Sequence, residues 1–175
     1  AYNELTDDQK LLVNNYEILT NARTVYDKLT ADKAAVDNVI TLIDAIGTPD
    51  INSLDAITKA QEEYDKLSDE LKERVTNKEA LDNAKNIYAE QKQAVDQVIE
   101  MINKLEEPVT IDSKAAIEAA EAAYHALSDA QKEKVTNYET LTLRREALNK
   151  IKTITFNTNG GTEIQNQYIN AGEHI

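Results

Sequence analysis

The sequence contains no cysteine, which excludes disulfide bonds and thiol chemistry. Tryptophan is also absent, and the chain has only 4 glycines and 2 prolines among 175 residues. No apolar run approaches the roughly 18 residues that a membrane-spanning helix needs, so we expect no membrane insertion. Because helix breakers are scarce and Ala, Leu, Glu and Lys are abundant, the composition predicts a mainly helical protein.

Positive charge is also in short supply, since 19 Lys and Arg face 32 Asp and Glu and leave a net charge of −13. Nucleic acids and anionic membranes bind proteins through Lys and Arg that replace counterions. We therefore expect no nucleic-acid partner, and we interpret the acidity as a source of solubility. The sequence begins at Ala1 and not at Met, so we expect it to be part of a longer protein.

One segment occurs three times, as YNELTDDQKLLVNN (2–15), YDKLSDELKERVTN (64–77) and YHALSDAQKEKVTN (124–137). A second block occurs twice, as AVDNVITLIDAI (35–46) and AVDQVIEMINKL (94–105), and a third pairs 51–64 with 111–124. Repetition at this spacing is typical of tandem structural units that stack on their neighbours.

Apolar residues three and four positions apart predict amphipathic helices within each repeat. The residue before a proline is driven out of the α region, so helices should end near Pro49 and Pro108. The expected helices are 34–46, 52–67 and one from about 77, then 94–105, 112–127 and 137–150.

Pairs of residues that can form capping boxes mark several helix starts. Ser68 has Leu71 three positions on, so it can cap a helix but cannot close a box. The predicted boxes are Asn14 with Glu17, Thr76 with Glu79, Thr136 with Glu139, Thr6 with Gln9, and Ser128 with Gln131.

The third helix of one unit continues into the first helix of the next, because 78–105 contains no Gly, Pro or turn cluster. The earlier junction is longer, with ten residues from Tyr26 to Val36 against seven from Tyr88 to Val95. Two alternatives follow: the helix continues with its next unit rotated, or Thr30 caps a restart.

The predicted fold class is mainly α, with tandem three-helix bundles that share long connecting helices in an elongated rod and end in a short β-hairpin segment. The tail 153–175 alternates in hydropathy, and Asn159-Gly160-Gly161 is a hairpin signal. The predicted domains are the C-terminal part of a bundle unit (1–33), two three-helix bundles (34–92 and 93–150) and a truncated β-module (151–175).

The runs LSDAQKEKVTNYETL and VDQVIEMINKL resemble the small three-helix, FIVAR-like repeats of surface proteins of Gram-positive bacteria. ITFNTNGG, followed by AG, resembles the opening of a Listeria–Bacteroides repeat, a β-grasp-like module of internalins. Both resemblances imply a modular, non-enzymatic protein that is secreted or anchored to the cell wall. They imply display, spacing or adhesion as its role.

No residue pattern indicates catalysis, a cofactor or a metal site. His125 lies one residue after a core tyrosine and should face outward, and His174 lies in the tail. Tyr16 and Tyr138 occupy a position that is Lys78 in the middle unit, and this variation makes them candidates for a partner contact. Arg144 replaces an alanine of the apolar stripe and should reach solvent or the β-module.

The sequence therefore predicts a monomeric, non-catalytic spacer that holds other domains away from a bacterial cell. Two alternatives stay open. One is an adhesin-type module that binds a host protein or a glycan. The other is an accessory region of a large secreted glycosidase.

Overall fold

The computed structural model describes residues 2–169 and is mainly helical, with one small antiparallel sheet. Among the described helices, none is long and apolar enough to cross a membrane. Short 3-10 helices occupy Tyr2–Glu4 and Ile111–Ser113. The α-helices and strands are α1 (Asp7–Leu11), α2 (Tyr16–Asp44), α3 (Leu54–Asp65), α4 (Asp69–Lys72), α5 (Lys78–Asn103), α6 (Lys114–Ala126), α7 (Asp129–Lys132), α8 (Tyr138–Lys150), β1 (Lys152–Ile154) and β2 (Gln167–Ile169).

Both long helices are continuous. The uninterrupted helix predicted over 78–105 is confirmed as far as Asn103 by α5. The restart at Thr30 is wrong, because α2 runs through it and the Thr30 hydroxyl donates to the Tyr26 carbonyl at 2.9 Å. Ion pairs one turn apart, such as Arg23 with Asp27 at 3.0 Å, support the helix through this region.

The capping boxes were predicted correctly for the short helices and wrongly for two long ones. Thr6 with Gln9 and Ser128 with Gln131 form complete boxes. The boxes predicted at Asn14 and Thr136 are wrong, because α2 and α8 begin one residue later than expected. Their N-cap residues are Asn15 and Asn137, and neither side chain caps the helix.

The chain divides into two units, one of residues 1–49 and 53–85 and the other of residues 50–52 and 86–175. In the first, α2 packs against α3 and α4. Of the six core residues expected there, Ile57, Leu67, Val75 and Leu81 are buried, whereas the tyrosines at 64 and 88 are half-buried. The four domain ranges drawn from the sequence stay a prediction.

The second unit has one core to which α5, α6 and α8 all contribute. The apolar stripe of each helix is directed into this core, which removes those side chains from water. The core residues are Val95, Val98, Ile102, Leu105, Val109, Ile117, Ala120, Leu127, Val135, Leu141 and Leu148.

The C-terminal β segment was predicted correctly, although the paired strands do not directly adjoin the turn along the chain. Asn159 and Gly160 both have positive φ, and the Gly161 N–H donates to the Thr158 carbonyl at 2.8 Å. This is the tight turn that the Asn-Gly pair indicates. Pairing occurs farther out, where β1 lies antiparallel to β2 with Thr153 opposite Tyr168.

Candidate interaction surface

One asparagine in each unit joins the start of a helix to an earlier helix. The Asn77 side-chain N–H₂ donates to the Ile40 carbonyl at 2.9 Å and to Asp44 Oδ1 at 2.8 Å. Asn137 repeats this arrangement with the Ile99 carbonyl and Asn103 Oδ1, both at 2.9 Å. We call Asn77 and Asn137 the bridging asparagines. Each adds a side-chain donor to a carbonyl within an α-helix, and the two bonds hold the start of one helix against the end of another.

Gln131 adds a second polar link in the second unit. Its side-chain oxygen closes the capping box with Ser128, and its Nε2 donates to the Gln91 carbonyl at 3.2 Å. The first unit has Leu71 at this position, and Ser68 makes no side-chain capping bond. We call the segment that occurs three times (2–15, 64–77 and 124–137) the corner. The two corners have the same geometry here in spite of this difference, because the backbone angles of Ser68 and Ser128 differ by only a few degrees.

Each predicted partner-contact tyrosine has a ring partner within its own unit. The Tyr16 ring stacks on Tyr2 with centroids 3.4 Å apart, and the Tyr138 ring stacks on Tyr124 at 4.1 Å. In the middle copy, Lys78 takes this position and its ammonium lies 5.1 Å from the centre of the Tyr64 ring. The position that varies in sequence thus always contacts the same repeated tyrosine, by stacking or by a cation–π contact.

Charged side chains line a groove of about 130 Å³ beside the Tyr124 and Tyr138 rings. Arg145 Nε donates to Glu121 Oε1 at 2.7 Å, and this hydrogen bond lowers the pKa of Glu121. Burial raises the pKa of Tyr124. His125 also lines this groove and is exposed, as expected from the sequence. The groove is small, and a structural ion pair accounts for its charges.

The expectation that Arg144 reaches solvent or the β-module is wrong. Its side chain is only 18% exposed, and its guanidinium donates to Glu107 Oε2 at 2.8 Å. Glu107 lies in the loop before Pro108, so the arginine links α8 to the connection between α5 and α6. Its partner could not be identified from spacing along one helix.

A cluster of exposed apolar side chains lies at the other end of the chain, on residues 2–29. Leu19 is 61% exposed and Tyr26 is 63% exposed, although their counterparts in the repeat belong to the apolar stripe. An open groove of about 640 Å³ lies here. We call this surface the uncovered face, and its residues are Tyr2, Leu5, Val13, Tyr16, Ile18, Leu19, Ala22, Val25, Tyr26 and Leu29.

The matching surfaces of the two units are covered. Leu81 and Leu141 stand where Leu19 stands in the first copy, and they are 0% and 1% exposed. Exposed contiguous apolar surface of this kind commonly marks a contact with another element. The sequence contained the signal, since a third copy of the corner occurs without a preceding copy of the VDxVI block.

The structure describes no metal-binding cluster: in residues 2–169, no three His, Cys, Asp or Glu residues converge on one point. His174 lies outside the described residues. The bridging asparagines were not singled out from the sequence, because an Asn after Thr at a helix start is indistinguishable from an ordinary cap. Their signal is that Asn recurs at positions 15, 77 and 137 while neighbouring residues change.

Comparison with known proteins finds no matching family model, curated protein or solved structure. The resemblances to FIVAR-like repeats and to the Listeria–Bacteroides repeat stay predictions.

Proposed function

We propose that this chain is a non-catalytic spacer of a secreted or cell-wall-anchored bacterial protein. In this proposal, tandem three-helix bundles share their long helices and form an elongated rod. The observation that carries it is the duplicated bridging asparagine. Asn77 and Asn137 make the same two hydrogen bonds to residues four apart on an earlier helix. The repeated feature is therefore a pair of hydrogen bonds that holds two helices together.

What changes between the units also supports this role. Half-exposed positions exchange, such as Lys78 for Tyr138, whereas most core positions keep their residue type. A spacer needs length, solubility and stiffness, and it places no constraint on most of its surface. The net charge of −13 favours solubility, and the unbroken helix α5, which contributes residues to both units, favours stiffness.

Small-angle X-ray scattering tests the proposed shape. A compact particle of 175 residues would have a radius of gyration of roughly 16 Å. We expect a clearly larger value and a pair-distance distribution with a long tail. A matched variant carries Gly-Ser-Gly-Ser inserted after the exposed Glu90, which interrupts α5. We expect the insertion to broaden the distribution while circular dichroism stays helical. A wild-type radius near 16 Å would contradict the spacer.

An adhesin-type binding module is the second candidate, and the uncovered face favours it. In the same N-terminal segment, Leu11 and Leu12 are 83% and 82% exposed, where the other copies carry Glu73 and Arg74 or Glu133 and Lys134. Binding to a panel of host proteins and glycans, followed by Tyr16→Ala and Tyr138→Ala, tests this candidate. Micromolar binding that either substitution abolishes would favour the adhesin over the spacer.

A further inference from the structure

We propose that the uncovered face is a docking site for the first two helices of another unit of this repeat. The inference rests on the three-helix unit proposed above but does not depend on the spacer role. The proposed occupant is a pair of helices, and the first of them carries the pattern VDxVIxxI followed by Asp or Asn. Three observations carry it.

The first observation is the burial of equivalent positions. Val75 and Leu81 in one copy, and Val135 and Leu141 in the next, are nearly inaccessible to solvent. In the second unit, the helices that cover them are α5 and α6, whose stripe residues belong to the same core. Residues 2–29 correspond to the segment that α5 and α6 cover in the second unit. The surface that they expose therefore has the shape that such covering helices contact.

The second observation is that the corner already has its covered geometry. Thr6 has φ −67° and ψ 163°, and Ser128 has φ −64° and ψ 163°. Asn15 has φ −114° and ψ 13°, and Asn137 has φ −114° and ψ 20°. The backbone of the uncovered copy thus needs no rearrangement to receive the helices that its counterpart receives. A preorganised surface loses less conformational entropy on binding.

The third observation is the placement of side-chain donors. Asn15 corresponds to the bridging asparagines, and Gln9 corresponds to Gln131. In the covered copy, these two side chains donate to helix carbonyls, at Ile99 and Gln91. Side-chain amides at these two places favour a docked helix that presents two backbone carbonyls to them. This helix should also carry a carboxylate or an amide oxygen four residues after the carbonyl that Asn15 would contact.

These requirements define the occupant more narrowly than apolarity does. Residues 36–44 and 95–103 both meet them, as VDNVITLID and VDQVIEMIN. Asp44 and Asn103 supply the oxygen that the bridging asparagine needs. The docked pair does not account for Leu11 and Leu12, because the matching residues of the other copies are exposed.

The first test uses the 175-residue chain and a fluorescently labelled peptide of residues 91–123 as the probe. We expect saturable binding by anisotropy, and hydrogen exchange that slows in residues 2–29 and not in 86–150.

Leu19→Asp should weaken binding more than about tenfold, since it places a charge under the docked helices. Leu143→Asp alters an exposed leucine on α8 and is the matched control. A peptide with Val98→Asp and Ile102→Asp should not bind.

A second test removes the entropic cost of binding a separate peptide. Residues 91–123 are joined directly to Tyr2, which reproduces the natural junction of Ala123 with Tyr124. We expect the amides of Leu19 and Ala22 to exchange at least about tenfold more slowly than in the original chain. The same fusion with Val98→Asp and Ile102→Asp in the added segment should show no slowing.

Protection in the fusion, with or without binding of the separate peptide, supports the proposal. Absence of both overturns it. Self-association of the chain that Leu19→Asp abolishes, without protection in the fusion, also overturns it and assigns the face to a second copy. A compact radius of gyration would contradict the spacer proposal without affecting the docking result. Failure of the docking proposal can therefore be distinguished from failure of the spacer proposal.

Discussion

The two units share the corner backbone angles and the bridging asparagine bonds, although they carry different side chains at several matched positions. A cation–π contact joins Lys78 to Tyr64 in the first, and stacking joins Tyr138 to Tyr124 in the second. Leu71 stands where Gln131 closes a capping box. Two core leucine positions (Leu67 with Leu127, and Leu81 with Leu141) and the bridging asparagines do not vary. The comparison indicates that apolar packing and the asparagine hydrogen bonds are the shared features of the units, whereas the position beside the repeated tyrosine accepts both Lys and Tyr.

Residues 2–29 provide a third member of the comparison, which has the same corner without its covering helices. Identical substitutions can therefore be made in three environments, two covered and one open. The first two of the following experiments use the open copy as an internal control.

The largest effect should come from the core leucine. Leu81→Ala and Leu141→Ala remove a fully buried side chain, and each should lower the free energy of unfolding by about 2–5 kcal/mol. Leu19→Ala alters the same repeat position at an exposed site and should cost less than about 0.5 kcal/mol. Urea unfolding, with hydrogen exchange to assign the loss to a unit, measures all three. Equal losses at the three positions would contradict the assignment of an open face.

The bridging asparagines come next. Asn77→Ala or Asn137→Ala removes two hydrogen bonds to an earlier helix, so each should cost about 1–3 kcal/mol. Asn15→Ala should have almost no effect in the chain as it stands. In the fusion of residues 91–123 to Tyr2, its cost should rise to that of the other two. A cost at Asn15 that is the same in both proteins would show that this residue acts within its own helix.

The capping box gives a smaller and reciprocal effect. Gln131→Leu removes one box partner and the bond to the Gln91 carbonyl, and it should destabilise the second unit by about 1 kcal/mol. Leu71→Gln should stabilise the first unit, because Ser68 already has the backbone angles of a box. Thermal unfolding of the two variants checks the opposite signs. If both substitutions destabilise, Leu71 contributes packing that outweighs the box.

The pH dependence of the Glu121–Arg145 pair is expected to be the smallest effect. The pKa of Glu121 is lowered by its hydrogen bond to Arg145, so the folded state favours the carboxylate. Stabilisation by this pair, on the order of 1 kcal/mol, is then complete above the unfolded-state pKa of about 4.3 and is lost as the pH falls through the lower folded pKa.

The measurement is urea unfolding between neutral and acidic pH for wild type and for Glu121→Gln. The two curves should differ at neutral pH and converge in acid. Glu146→Gln, on the exposed side of α8, is the matched control and should follow wild type throughout. The first unit has Gln61 and Lys85 at the paired positions, so its stability should not share this dependence. A difference that persists at low pH would contradict the assignment to the pair.

Much of the local structure could be predicted from the residues. Apolar spacing located the helices, Asn159-Gly160 located a turn with positive φ, and the lack of breakers predicted the continuity of α5. Two of the errors show where local reasoning failed. The starts of α2 and α8 were placed one residue too early, because Asn14 and Thr136 also look like caps. The partner of Arg144 lies 37 positions away, at Glu107, which no helical periodicity can indicate.

The sequence by itself determined which residues form helices, and it showed that the corner segment occurs three times. Hydropathy periodicity, capping and repetition are local properties of the chain. Only the tertiary structure decided what each copy of the corner contacts. Leu19 and Leu81 have the same side chain at the same repeat position, and one is open while the other is buried. Burial and buried hydrogen bonds depend on elements that are distant along the chain, so identical segments acquire different environments.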